Sequence, residues 1–245
     1  MGERGPGNRA GRWWSATADL LLGATCPGCG QPGWGACPDC RAHVVSQPTR
    51  LTRPTPAPVG FPVTATASSY DAVHRGLLHA HKEEQALMLT RLLGDRLAAS
   101  VAELLVDREV PTQEPIVLVP MPSAKAAVRE RGFDATAALA DRAALTLARQ
   151  RPARSSRLLA QRRGLADQAD LDAVRRAANL RGGLRLRNGV DSLRSRPEGP
   201  ALVVVDDLVT TGASLTEAVR CLEAAGYEVL GAATVSATVR MLSGY

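Results

Sequence analysis

Aromatic side chains are scarce in this chain, at 3% of its residues, with Phe and Tyr together numbering five. A repeated platform of rings for stacking nucleic-acid bases is thereby excluded. Lysine is nearly missing as well; Lys82 is one of only two. No apolar run approaches the roughly 20 residues that span a bilayer, so membrane insertion is excluded. No export leader is expected either. The apolar stretch from Ala16 to Leu22 is short and holds Asp19, and Gly23 stands where a lipoprotein signal ahead of Cys26 would carry Leu. The expectation is a cytoplasmic protein, in a reducing compartment where paired cysteines hold metal more often than they form disulfides.

What is present suits a folded enzyme-sized domain. The 245 residues are 45% hydrophobic, enough for one full α/β domain with about 50 residues to spare. The net charge of +6 is concentrated in one place. Between Arg149 and Arg187 lie eleven Arg, no Lys and three Asp, a local +8, and the rest of the chain carries −2. Such a segment suits a polyanion, whether phosphate, pyrophosphate or nucleic acid; the bland alternative is a solvated Arg-rich face.

Composition divides the chain into three parts. Residues 1–45 are Gly-rich and hold four of the five cysteines; residues 46–60 carry Pro48, Pro54, Pro56 and Pro58 and read as an extended linker. Residues 61–245 alternate strands and helices. Strands are predicted at Val63 to Ser69, Ile116 to Val119, Ala201 to Val205 and Val229 to Val235. Helices are predicted over 84–105, from Ala135 to about Arg149, and from Ser214 to Ala225 with Gly226 as its cap. The alternation is that of a parallel, doubly wound or related α/β fold.

The richest stretch is Val203-Val204-Val205-Asp206-Asp207-Leu208-Val209-Thr210-Thr211-Gly212-Ala213-Ser214. A buried strand delivers two adjacent acids, and a hydroxylated turn then opens into a helix. That turn can aim backbone N–H groups and the hydroxyls of Thr210, Thr211 and Ser214 at a phosphate, while Gly212 lets the backbone come close. Two carboxylates beside a phosphate cradle match the layout of ribose 5-phosphate. Simple helix capping is the alternative, with Ser214 as N-cap and Glu217 completing a capping box. Two acids and three hydroxyls exceed what capping requires.

This run resembles the phosphoribosyl-pyrophosphate (PRPP) motif of the type I phosphoribosyltransferases. The resemblance implies that Asp206 and Asp207 meet the ribose hydroxyls and that Thr210, Thr211, Gly212, Ala213 and Ser214 hold the 5-phosphate. It also implies a Rossmann-like parallel sheet flanked by helices, with a flexible loop. Other residues are similar to the ComF-type proteins (competence protein F and GntX). They are Val119-Pro120-Met121-Pro122, Arg131-Gly132-Phe133, and Gln168, Leu171, Arg176 and Asn179. Asp134, Ala135 and Leu165 depart from that pattern, where Asn, Gln and Thr are usual. The likeness runs from about Cys26 to Thr238. It implies Mg²⁺-dependent transfer of a phosphoribosyl group to an unidentified acceptor, and a mobile loop over the pyrophosphate at residues 151–187. Arg162, Arg163, Arg175 and Arg176 are then candidates for the pyrophosphate oxygens. Lys82 sits where such sequences often carry a Lys; an ordinary helix-surface charge is the other reading.

Cys26-Pro27-Gly28-Cys29 and Cys37-Pro38-Asp39-Cys40 are two C-x-x-C knuckles separated by seven residues. Together they supply four thiolates for one tetrahedral Zn²⁺ in a zinc-ribbon-like module, with two disulfides or a redox pair as alternatives. ComF-type proteins carry a similar four-Cys module. Cys221 and the four histidines, His43, His74, His79 and His81, read as structural or surface residues.

Three functions stay open on the sequence. The first is the transferase, and the second a PRPP sensor without catalysis. The third is an accessory protein of DNA uptake and competence that contacts single-stranded DNA or a helicase partner. A homo-oligomer is compatible with each.

Overall fold

The computed structural model describes residues 24–162, 182–187 and 200–238. The chain enters through the first cysteine knuckle and then forms α1 (Pro38–Ser46), β1 (Arg50–Thr52) and β2 (Thr64–Thr66). Next come α2 (Ala72–Glu83), α3 (Leu89–Asp107), β3 (Ile116–Pro120), α4 (Lys125–Arg131) and α5 (Ala135–Leu147). The short strands β4 (Ala153–Ser155), β5 (Leu159–Gln161) and β6 (Leu184–Leu186) follow. Two long strands, β7 (Ala201–Val209) and β8 (Val229–Ala237), enclose the helix α6 (Ala213–Glu223).

Six strands make one sheet in the order β1-β2-β8-β7-β3-β4. All neighbours run parallel except β1, which pairs antiparallel with β2, Leu51 opposite Ala65. β5 and β6 form a separate antiparallel pair. This is the α/β class expected, a mostly parallel sheet with helices on both faces.

The period-2 alternation of β7 explains the layering. Val203 and Val205 face one side, into a core with Leu93 and Leu97 of α3 and Leu139 and Ala143 of α5. Leu202 and Val204 face the other, against Leu215, Ala218 and Leu222 of α6 and Leu159 and Leu184 of the β5–β6 pair. The first core extends into the cysteine region, since Ala36 and Val44 belong to it.

Three predicted elements are revised. The helix expected over 84–105 begins later, as α3 at Leu89, and an unpredicted helix, α2, precedes it, the two separated near Gln85, whose φ is +56°. The start of α2 is set by Asp71, whose carboxylate accepts the His74 N–H. β7 runs four residues past the apolar stretch, because β8 pairs with it there, Asp206 opposite Thr234 and Leu208 opposite Ser236. The Pro-rich stretch holds the edge strand β1.

Candidate functional site

The strand order places a switch point beside the acids. From β3 the chain crosses to β4 on one side, and from β7 it crosses to β8 on the other. Such points open a crevice at the carboxyl ends of the two strands, where ligands of this fold class bind. β3 leaves the sheet after Pro120, and Met121 donates the last ladder bond to the Val205 carbonyl. Asp206 and Asp207 come directly after Val205. The backbone N–H of Asp207 donates to Asp206 Oδ1 at 2.9 Å. Burial of the Asp206 carboxyl, reinforced by the neighbouring Asp207 charge, pushes its pKa well above the usual range.

The structure brings Lys82 to this pair. Its Nζ lies 3.3 Å from Asp207 Oδ2, with Lys82 at the last turn of α2. Burial alone would lower the lysine pKa, but the charges of Asp207 and Asp206 outweigh it and raise the value. The Lys82 side chain, 39% exposed, thus pairs with Asp207 at the end of α2.

Neighbours that sequence reasoning left off the site hold Lys82 in place. Arg131 donates to the Lys82 carbonyl at 3.0 Å. His81 is 1% exposed, its Nε2 lies 2.9 Å from Thr90 Oγ1, and Phe133 meets its ring edge-on at 5.6 Å. Burial drives the His81 pKa down to about 4, so the ring is neutral. The Arg131-Gly132-Phe133 run was the available signal for this wall. Asp134, a departure from the family-like pattern, caps α5 through the Ala137 N–H and accepts the Ser123 hydroxyl at 2.8 Å.

After β7 the chain turns through the exposed Thr210 and Thr211 to Gly212, which caps α6 with φ of +77°. A Cβ on Gly212 would overlap the Phe61 ring and come within 3.1 Å of Pro54 Cγ. Glycine is thus required both by the left-handed backbone and by the close approach. The N-cap Gly212 offers no side chain, the Thr211 hydroxyl oxygen accepts the Ala213 N–H at 3.5 Å, and Ser214 is the second residue of the helix. The capping box expected from Ser214 and Glu217 does not form. Glu217 is 3% exposed and instead accepts the Gly182 N–H at 2.8 Å and Arg220 at 2.7 and 2.8 Å. The first-turn N–H groups of α6, at the positive end of its dipole, face the turn.

Arg162 has its Nε 3.3 Å from the Leu184 carbonyl, which ties it to the β5–β6 pair. Arg163, Arg175 and Arg176 lie outside the described residues, as do Gln168, Leu171 and Asn179.

The four cysteines converge elsewhere. The Sγ atoms of Cys26, Cys29, Cys37 and Cys40 all lie within 4.8 Å of one another, and Cys29 and Cys37 are 3.6 Å apart. All four are free thiols. Zn–S bonds of about 2.3 Å give a tetrahedral edge of about 3.8 Å, so the donor set and its spacing fit one Zn²⁺. Burial opposes ionisation of Cys26, yet the N–H groups of Cys37, Gly28 and Cys29 bring its pKa down to about 7. Pro38 opens α1 directly after Cys37, whose sulfur accepts the Cys40 N–H, so the second knuckle is also a helix start.

Residues 136–239 match the family model of the phosphoribosyl transferase domain. The match spans α5, the acid pair, the Gly212 turn and β8. No curated protein matches the chain. No helix among the described residues is long and apolar enough to cross a membrane.

Proposed function

We propose that the chain binds PRPP with Mg²⁺ at the crevice between β3 and β7 and transfers its phosphoribosyl group to an acceptor. The observation that carries this is the continuity of β7, its acid pair, the Gly212 turn and the open start of α6 at the switch point of a phosphoribosyl transferase domain. Asp206 and Asp207 accept hydrogen bonds from the ribose hydroxyls. The N–H groups and hydroxyls from Thr210 to Ser214 hold the 5-phosphate. Lys82, relieved of Asp207 by the ribose, turns its charge toward the pyrophosphate. The Arg-rich segment adds guanidinium groups there and excludes water. Mg²⁺, held mainly by ligand oxygens and water, would supply positive charge to offset that of the pyrophosphate. The reading is of a cytoplasmic ComF-type enzyme whose four thiolates hold structural zinc.

Pyrophosphate release from PRPP and Mg²⁺ tests the reaction across a screen of small-molecule acceptors. The wild-type chain should release pyrophosphate with at least one acceptor, and Asp206→Asn should not. PRPP binding without release from any acceptor would replace the transferase with the sensor reading. Protection of residues 151–187 from protease by an oligonucleotide, and not by PRPP, would favour the DNA-uptake role.

A further inference from the structure

The cysteine knuckle and the acid pair are joined by a single helix. α2 has 12 residues and is about 18 Å long. At its start the Asp71 carboxylate is shared. One oxygen lies 2.6 Å from His43 Nε2 on α1, and the other accepts the His74 N–H and lies 2.8 Å from His74 Nδ1. Although burial opposes it, these bonds hold the Asp71 pKa at about 2. Arg96 of α3 secures the far end of α1, donating to the carbonyls of Val45 and Gln47.

In its middle, α2 meets the first knuckle backbone to backbone. A Cβ on Gly76 would overlap the Pro27 carbonyl oxygen and come within 3.4 Å of Gly28 Cα. From the other side, a Cβ on Gly28 would stand 3.1 Å from Val73 Cγ1 and 2.9 Å from Cys40 Sγ. Two glycines therefore face each other, with a zinc-ligand sulfur behind them. At its end, α2 delivers Lys82 to Asp207 at 3.3 Å, the long end of an ionic hydrogen bond.

We propose that the four-thiolate centre positions Lys82 through α2, with Gly76 as the positioning residue. Bound zinc fixes the shape of the Pro27-Gly28 turn, and that turn is the seat on which Gly76 rests. α2 is one rigid helix, so a displaced seat moves its last turn, and a pair already at 3.3 Å has little slack. Asp206 and Asp207 stand on β7 within the central sheet and stay where they are. Zinc occupancy thus sets the separation of the lysine from the acids. The consequence for PRPP affinity rests on the proposed function; the coupling does not.

The chain has two lysines, Lys82 and Lys125, so amine acylation read by mass spectrometry reports Lys82 with Lys125 as internal reference. The full-length chain is labelled zinc-loaded, stripped by chelator and reloaded, beside Gly76→Ala and Asp207→Asn. Stripping should raise Lys82 labelling severalfold, to the level of zinc-loaded Asp207→Asn, and reloading should reverse it. Gly76→Ala should show the same rise with zinc still bound. If that variant does not fold, the strip-and-reload cycle on the native chain decides the matter. Unchanged Lys82 labelling on stripping would overturn the proposal. So would a rise that accompanies loss of hydrogen-exchange protection in β7 and β8, because the whole domain has then moved. A zinc-loaded chain that binds no PRPP would remove the proposed function and leave the labelling result standing.

Discussion

The cysteine centre and the acid site differ in how they are assembled. All four thiolates come from the 15 residues between Cys26 and Cys40. The cation beside Asp207 is contributed by Lys82, 125 positions earlier in the chain. Its supports, Arg131 and Phe133, come from a third segment, and Phe61 packs on the turn from a fourth. A metal centre made by local spacing is complete as a motif. A site at a sheet switch point is completed by whatever the topology brings over it.

The largest effect that would sharpen this contrast is at the metal. Cys40→Ser removes the buried fourth donor, and metal-binding energy in small thiolate modules, roughly 10 kcal/mol or more, is folding energy. Elemental analysis should then show zinc falling from near one per chain to near none. Hydrogen-exchange protection should be lost over residues 24–46 and kept in β7 and β8. Protection kept over 24–46 without metal would mean that packing on α2, not zinc, folds the cysteine region.

A smaller effect belongs to the other end of α2. His81 is neutral when folded, with a pKa of about 4 against about 6.5 in an unfolded chain. Between these values the unfolded chain binds the extra proton, so stability rises with pH through the window. The contribution is complete above about pH 6.5 and is lost as pH falls toward 4. The difference between pH 7.5 and pH 4.5 should be about 2–3 kcal/mol from this residue. Urea denaturation at the two values measures it, and His81→Gln should flatten the dependence by that amount. His74, buried and with a lowered pKa, adds a change of the same sign that His81→Gln leaves in place. An equally steep profile in His81→Gln would assign the dependence to another group.

The same contrast explains what was legible in the sequence. The run from Asp206 to Ser214 is contiguous, so it could be singled out as a candidate site without the fold. The length of β7 could not, because pairing with β8 carries the strand through two carboxylates that end the apolar pattern. The capping box at Ser214 and Glu217 had the right spacing, but Glu217 is engaged by Gly182 and Arg220 instead. Local pattern yields to tertiary contact where a better partner is brought in. α2 was missed as a whole although Asp71 is a good N-cap, because the stronger Leu periodicity further on dominates the pattern. Gly76 left no signal of its own; only the knuckle pressed against it shows why a side chain there would clash.

Calorimetry of PRPP with Mg²⁺ tests the central claim most directly, that the acid pair and the Gly212 turn form one ribose-phosphate site. The wild-type chain should bind saturably, one PRPP per chain. In the double variant Asp206→Asn, Asp207→Asn the affinity should fall by at least about 100-fold, since charge-assisted hydrogen bonds contribute roughly 1.5–3 kcal/mol each. Exchange protection in β7 and β8 should persist, showing that the sheet is intact. Unaltered PRPP affinity in the folded double variant, or no binding by the zinc-loaded wild-type chain, would contradict the account.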